Sequence, residues 1–163
     1  MIRSDFLFNS LAVVLVVAAS PVSVSGQSIG ESAAYGDVRL EDGFVPDPHE
    51  IQLTAGGTVK VKATDDCNFG YVAEAPDLDF HYEADGNGTL FIYAASDEDT
   101  ILLINHPDGE WSCDDDGWGG LDPLVVIPNA ASGLYNIWVG RYGNKGGPAT
   151  LNISELDPRV GSS

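Results

Sequence analysis

Carboxylates crowd one stretch of this chain, residues 97–123. Asp97, Glu98 and Asp99 stand before the apolar run 101–104, Asp108 lies in the turn His106-Pro107-Asp108-Gly109, and Asp114, Asp115, Asp116 and Asp122 follow. Pro107 presets φ and Gly109 accepts the positive φ that closes a hairpin, so acids from before and after the turn can converge at one end of it. Acids at that density repel one another unless they are solvated or bound to a cation. An oxygen-rich donor set with little nitrogen or sulfur selects a hard ion, calcium above all. The expected ligands are Asp97, Asp99, Asn105, Asp108, Asp114, Asp115 and Asp116. Two-residue spacing places Asp97 with Asp99, and Asp114 with Asp116, on shared strand faces; Asn105 and Asp108 are the more distant members. The spacing is not that of an EF-hand, because with Asp114 at position one Trp118 falls at five and Val125 at twelve, where an acid belongs. Such a site is assembled from separate loops; the alternative is a solvated acidic rim.

Other chemistry has thinner support. Neither a Gly-x-Ser-x-Gly turn nor a Gly-Asp-Ser-Gly-Gly loop occurs, and His49, His81 and His106 are scattered without a His-Glu-x-x-His pair. Carboxylate pairs for glycoside hydrolysis are so abundant that their presence selects nothing. Trp111, Trp118 and Tyr142 are candidates for a platform that stacks sugar or peptide, whereas Trp138, inside an alternating strand, is expected to be structural. Trp118 lies in a Gly-rich loop and is expected to be the most exposed of the indoles. The reading is a non-enzymatic module that binds an extracellular protein or polysaccharide. A small secreted hydrolase using its acids, and a structural envelope or matrix protein, are the alternatives.

Composition sets the compartment and the partners. Arg3, the apolar run 11–19 and the small residues 21–26 have the order of a secretory signal, with cleavage expected near Ser25 or Gly26. The apolar run is about half the roughly 20 residues that a spanning helix requires, so a retained anchor is disfavoured. Export to the periplasm or the exterior follows, and the chain is not expected to span a membrane once the signal is removed. The formal net charge of −18 argues against nucleic acid and anionic membranes as partners. Cys67 and Cys113 form an even pair, which in an oxidising compartment is most simply a disulfide. On the loop-entropy account it contributes roughly 4 kcal/mol. Asn87-Gly88-Thr89 and Asn152-Ile153-Ser154 fit the glycosylation sequon.

The elements that must position these residues are strands. A flexible lead over 27–35 precedes one domain over 36–156, and residues 157–163 form a tail. Alternation of apolar and polar residues predicts strands near 36–40, 50–53, 58–63, 69–73, 77–82, 89–94, 101–105, 111–113, 124–127, 133–140 and 149–154. Ala55-Gly56-Gly57 reads as the turn of a hairpin joining 50–53 to 58–63, and Pro46 and Pro48 make 44–49 an irregular connector. No window holds a helical period. Short strands separated by Gly, Pro, Asn and Asp predict an all-β, antiparallel sandwich of eight to ten strands.

Asp99-Thr100-Ile101-Leu102-Leu103, then Asn105-x-Pro107-Asp108-Gly109, then Asp114-Asp115-Asp116, Leu121, and Ala131-Ser132-Gly133-Leu134-Tyr135-Asn136-Ile137-Trp138-Val139 together resemble the bacterial pre-peptidase C-terminal (PPC) domain. The likeness spans about residues 35–155, with its specific part in 97–139. It implies a jelly-roll-like β-sandwich that accompanies secreted enzymes, often proteases, and carries calcium in related collagen-binding modules. No catalytic domain accompanies the motifs in this sequence, so the implied accessory role falls to this chain alone or in a complex.

Overall fold

The computed structural model describes residues 26–143 and 145–160; the expected signal peptide lies almost wholly outside them. Eleven strands form two stacked sheets, and no described residue is helical. The first sheet holds β1 (Asp37–Glu41), β3 (Val59–Lys60), β4 (Tyr71–Val72), β5 (Leu78–Glu83), β7 (Thr100–Asn105), β8 (Trp111–Asp114) and β10 (Gly133–Arg141). The second runs in the order β2 (His49–Ala55), β11 (Gly147–Ser154), β6 (Leu90–Ala95), β9 (Leu124–Ile127). The architecture is the expected all-β sandwich, with eleven strands where eight to ten were expected and a departure from antiparallel pairing: β1 runs parallel to β5, Val38 opposite Phe80 and Leu40 opposite Tyr82.

Period-2 patterning builds the core. Leu78, Phe80 and Tyr82 of β5, Tyr135, Ile137 and Val139 of β10, and Leu151 and Ile153 of β11 all lie in one buried cluster between the sheets. Every residue of β7 is buried, and its outer face has its own cover. Ile101, Leu103 and Trp138 form a second cluster with Val61, Cys67 and Val72, so the segment around 61–73 shields the far side of the first sheet. A strand buried on both faces loses its polar alternation, which is why 101–104 reads as a continuous apolar run.

Two expectations are corrected. Strands β2 and β3 are not a hairpin, since β2 belongs to the second sheet and β3 to the first. Gly56 (φ 119°) and Gly57 (φ 154°) carry the chain across the sandwich, and a Cβ on Gly57 would overlap the Val72 backbone. The lead 27–35 is tied down: Ala34 and Tyr35 donate backbone hydrogen bonds to the carbonyls of Pro76 and Asp77, and the Tyr35 hydroxyl accepts the Thr54 N–H at 2.8 Å.

Candidate functional site

The hairpin of β7 and β8 forms, and its register sorts the predicted ligands. Asn105 stands opposite Trp111, and Leu102 opposite Asp114. Three residues of strand, about 10 Å, thus separate the turn end from the end that carries Asp114. At the turn, Asn105 donates through Nδ2 to the carbonyls of Gly109 (3.3 Å) and Glu110 (3.2 Å), and Asp108 Oδ1 accepts the Glu110 N–H at 3.0 Å. Asn105 and Asp108 therefore brace the turn and stand apart from the aspartate run.

The opposite end gathers the acids. One oxygen each from Asp114, Asp115 and Asp116 lies within 4.8 Å of the others. Burial, then the charges of Asp116, Asp114 and Asp99, hold the Asp115 carboxyl above its ordinary range; Asp99 acts as a neighbouring charge outside the group of three. Asp97 faces a different acid: its charge adds to burial in raising Asp122, whose Oδ1 accepts the Ser96 N–H at 3.1 Å. The predicted set thus divides into Asp99 with Asp114 to Asp116, Asp97 with Asp122, and the turn pair.

Asp114 also shapes the loop. Its Oδ2 accepts the N–H groups of Gly117 (2.6 Å) and Leu124 (2.8 Å), and a Cβ on Gly117 would lie 2.7 Å from that oxygen. Trp118 N–H to the Asp122 carbonyl and Gly119 N–H to the Asp116 carbonyl, both 3.1 Å, close the rest of the turn. Among the described residues one carboxylate oxygen of Asp114 and both of Asp116 take no hydrogen bond, and Asp115 accepts only its own backbone N–H. This all-oxygen, multiply charged set suits a cation that takes six to eight oxygens at about 2.4 Å, with water completing the shell.

The aromatic candidates separate too. Trp111 packs on the buried Trp138, ring centroids 5.6 Å apart, beside the Cys67–Cys113 disulfide that the sequence predicts. Trp118 is half-buried on the outer face of the second sheet, 4.5 Å from the ring of Tyr93. Tyr142 is exposed and lines a cleft with Glu98, Asp99, Arg141 and Lys145.

Sequence reasoning passed over Arg141, which is 3% exposed at the end of the core and has Nη1 3.7 Å from Glu98. Its place on the alternation of Tyr135, Ile137 and Val139 was the available signal. The histidines are dispersed: His81 bonds Asp37 on the outside of β5 (3.2 Å), and His106 Nε2 meets Ser112 Oγ at 2.8 Å. Burial lowers the His106 pKa against the opposing charges of Asp108 and Glu110.

No protein-family model matches the chain, and no curated protein matches it. Among solved structures it is similar to PliG of Aeromonas hydrophila, a periplasmic inhibitor of g-type lysozyme (16% identity, TM-score 0.35, 72% of this chain and 96% of that one). It is also similar to the pre-peptidase C-terminal domain of the collagenase from Bacillus anthracis, the family whose motifs its sequence resembles, at 11% identity and a TM-score of 0.47 over 76% of this chain and 100% of that one.

Proposed function

We propose that this chain is an exported, non-catalytic β-sandwich module in which calcium fastens the 114–122 loop, and that it acts by binding, as an accessory to an extracellular hydrolase. The observation that carries the reading is the convergence of Asp114, Asp115 and Asp116 within 4.8 Å, with the charge of Asp99 close enough to act on Asp115. Unneutralised, that group costs the fold stability; a divalent cation converts the repulsion into a cross-link between the 96–99 loop and the 114–122 loop. The Cys67–Cys113 disulfide supports export. Binding is preferred to hydrolysis because His106 and Ser112 share one short hydrogen bond, and no carboxylate hydrogen-bonds the His106 ring among the described residues. A nucleophile and base without an orienting third group is an incomplete catalytic set.

Thermal unfolding of the oxidised chain with excess calcium and with chelator tests this reading. A ligand held a hundredfold above its Kd stabilises by about 2.7 kcal/mol, so the midpoint rises by several degrees. Asp115→Asn and Asp116→Asn diminish the rise, and Asp108→Asn leaves it intact. A midpoint indifferent to calcium sinks the metal reading.

A further inference from the structure

A second feature of the 114–122 loop points to a partner. Trp118, standing on Tyr93, forms one wall of a groove across the outer face of the second sheet; Gln52, Ser96, Asp97, Asp122 and Thr150 supply its polar lining, beside small apolar residues of β6 and β11. No lysine or arginine lines it. Asp97 is exposed and makes no side-chain hydrogen bond among the described residues, and Asp122 spends only Oδ1, on the Ser96 N–H. Thr150 donates to Gln52 Oε1 at 3.1 Å, an oxygen that keeps a second lone pair for a donor.

We propose that this groove seats a lysine or arginine side chain of a basic extracellular protein, its cationic head between Asp97 and Asp122 and against the Trp118 indole. Two carboxylates that raise each other's energy are relieved by a positive charge and not by a neutral sugar. The indole face attracts a cation through its quadrupole. The whole molecule, at −18, draws basic partners toward it from a distance. Two carboxylates beside an indole are too few for a calcium shell, which separates this groove from the neighbouring aspartate run. The inference rests on the proposed reading of an exported binding module, because the loop that calcium fastens is the one that carries Trp118.

Titration of the isotope-labelled chain with amidated trilysine, triglycine amide and cellotetraose, followed by amide and indole NMR shifts in calcium, tests it. Trilysine is expected to shift the Trp118 indole N–H and the Ser96 amide saturably, more weakly as salt rises. Trp118→Ala weakens binding about tenfold. Asp97→Asn, at an exposed position without hydrogen bonds to lose, weakens it while preserving the fold, and Glu41→Gln with Glu83→Gln on the opposite sheet leaves it unchanged. Equal losses at Glu41 and Glu83, shifts produced by cellotetraose alone, or no saturable shift each overturn the proposal. A calcium-dependent midpoint without trilysine binding overturns this proposal alone, and trilysine binding without a calcium-dependent midpoint overturns the metal reading alone.

Discussion

The carboxylate of Asp77 accepts the backbone N–H of Val139 at 2.7 Å, in a gap on the edge of β10 that faces away from β7. On that edge β10 pairs with β5 as far as Ile137 and with β4 only at Arg141, and Val139 falls between them. The Val139 carbonyl is met in turn by the Gly56 N–H at 2.9 Å. A side chain and a crossing loop thus complete a ladder that strands leave open, which matters because unpaired buried backbone groups are costly.

Asp77 is 3% exposed, and burial pushes its carboxyl up to about 7 against the opposing hydrogen bond from Val139. An acid whose folded pKa exceeds its unfolded value binds more protons when folded, so its contribution is full below about pH 4 and is lost as pH rises toward 7. A shift of this size corresponds to on the order of 4 kcal/mol. Asp77→Asn keeps an acceptor for Val139 and removes the titration. Denaturant melts at pH 5 and pH 8 are expected to show the wild type losing more stability between them than the variant. Parallel losses in both proteins contradict the role given to Asp77.

How much of this was legible beforehand follows the range of each interaction. Leu78, Phe80 and Tyr82 announce their strand because period-2 alternation is local, and Leu124–Ile127 is delimited by its prolines. The sheet to which each strand belongs is not local: Gly56-Gly57 reads as a hairpin turn, yet serves as a crossover because its backbone passes against Val72. The acids were legible as a cluster. Their division was not, since whether Asp97 meets Asp116 or Asp122 depends on how the 114–122 loop folds over the second sheet. Parallel pairing of β1 with β5 and the docking of 27–35 likewise depend on contacts between distant segments.

The disulfide fastens β8 to the segment that covers Trp138, so reduction is expected to loosen the second cluster before the core between the sheets. Cys67→Ser with Cys113→Ser is predicted to cost roughly 4 kcal/mol on the loop-entropy account, a fall in midpoint on the order of 10 °C. Hydrogen exchange localises it: protection is lost first in residues 61–73 and in β8. Uniform loss across both sheets contradicts the satellite role of this cluster.

Gly140 lies where β10 passes closest to its neighbours. A Cβ there would stand 2.5 Å from the Tyr71 carbonyl oxygen and 2.7 Å from side-chain carbons of Ile101 and Val72. Gly143, three residues on, has nothing within 4 Å. Gly140→Ala is therefore expected to destabilise by about 3 kcal/mol or to abolish folding, while Gly143→Ala changes the midpoint little. Equivalent melting of the two variants refutes the close approach.

Asp114 separates scaffold from charge within the acidic group. Its Oδ2 caps the N–H groups of Gly117 and Leu124, so Asp114→Ala orphans two donors and is expected to cost about 1 to 2 kcal/mol in chelator, with no metal involved. Asp114→Asn can keep both bonds through its amide oxygen and is expected to recover most of that loss in chelator. Asp115→Asn, which relieves repulsion from Asp116, Asp114 and Asp99, is expected to be neutral or stabilising under the same conditions. In calcium the order changes if the group holds the ion: Asp115→Asn then melts below the wild type although it melts level with it or above it in chelator. Melting curves of the three variants in both buffers read the two roles separately. If Asp114→Ala unfolds at the wild-type midpoint in chelator, the carboxylate does not organise the loop.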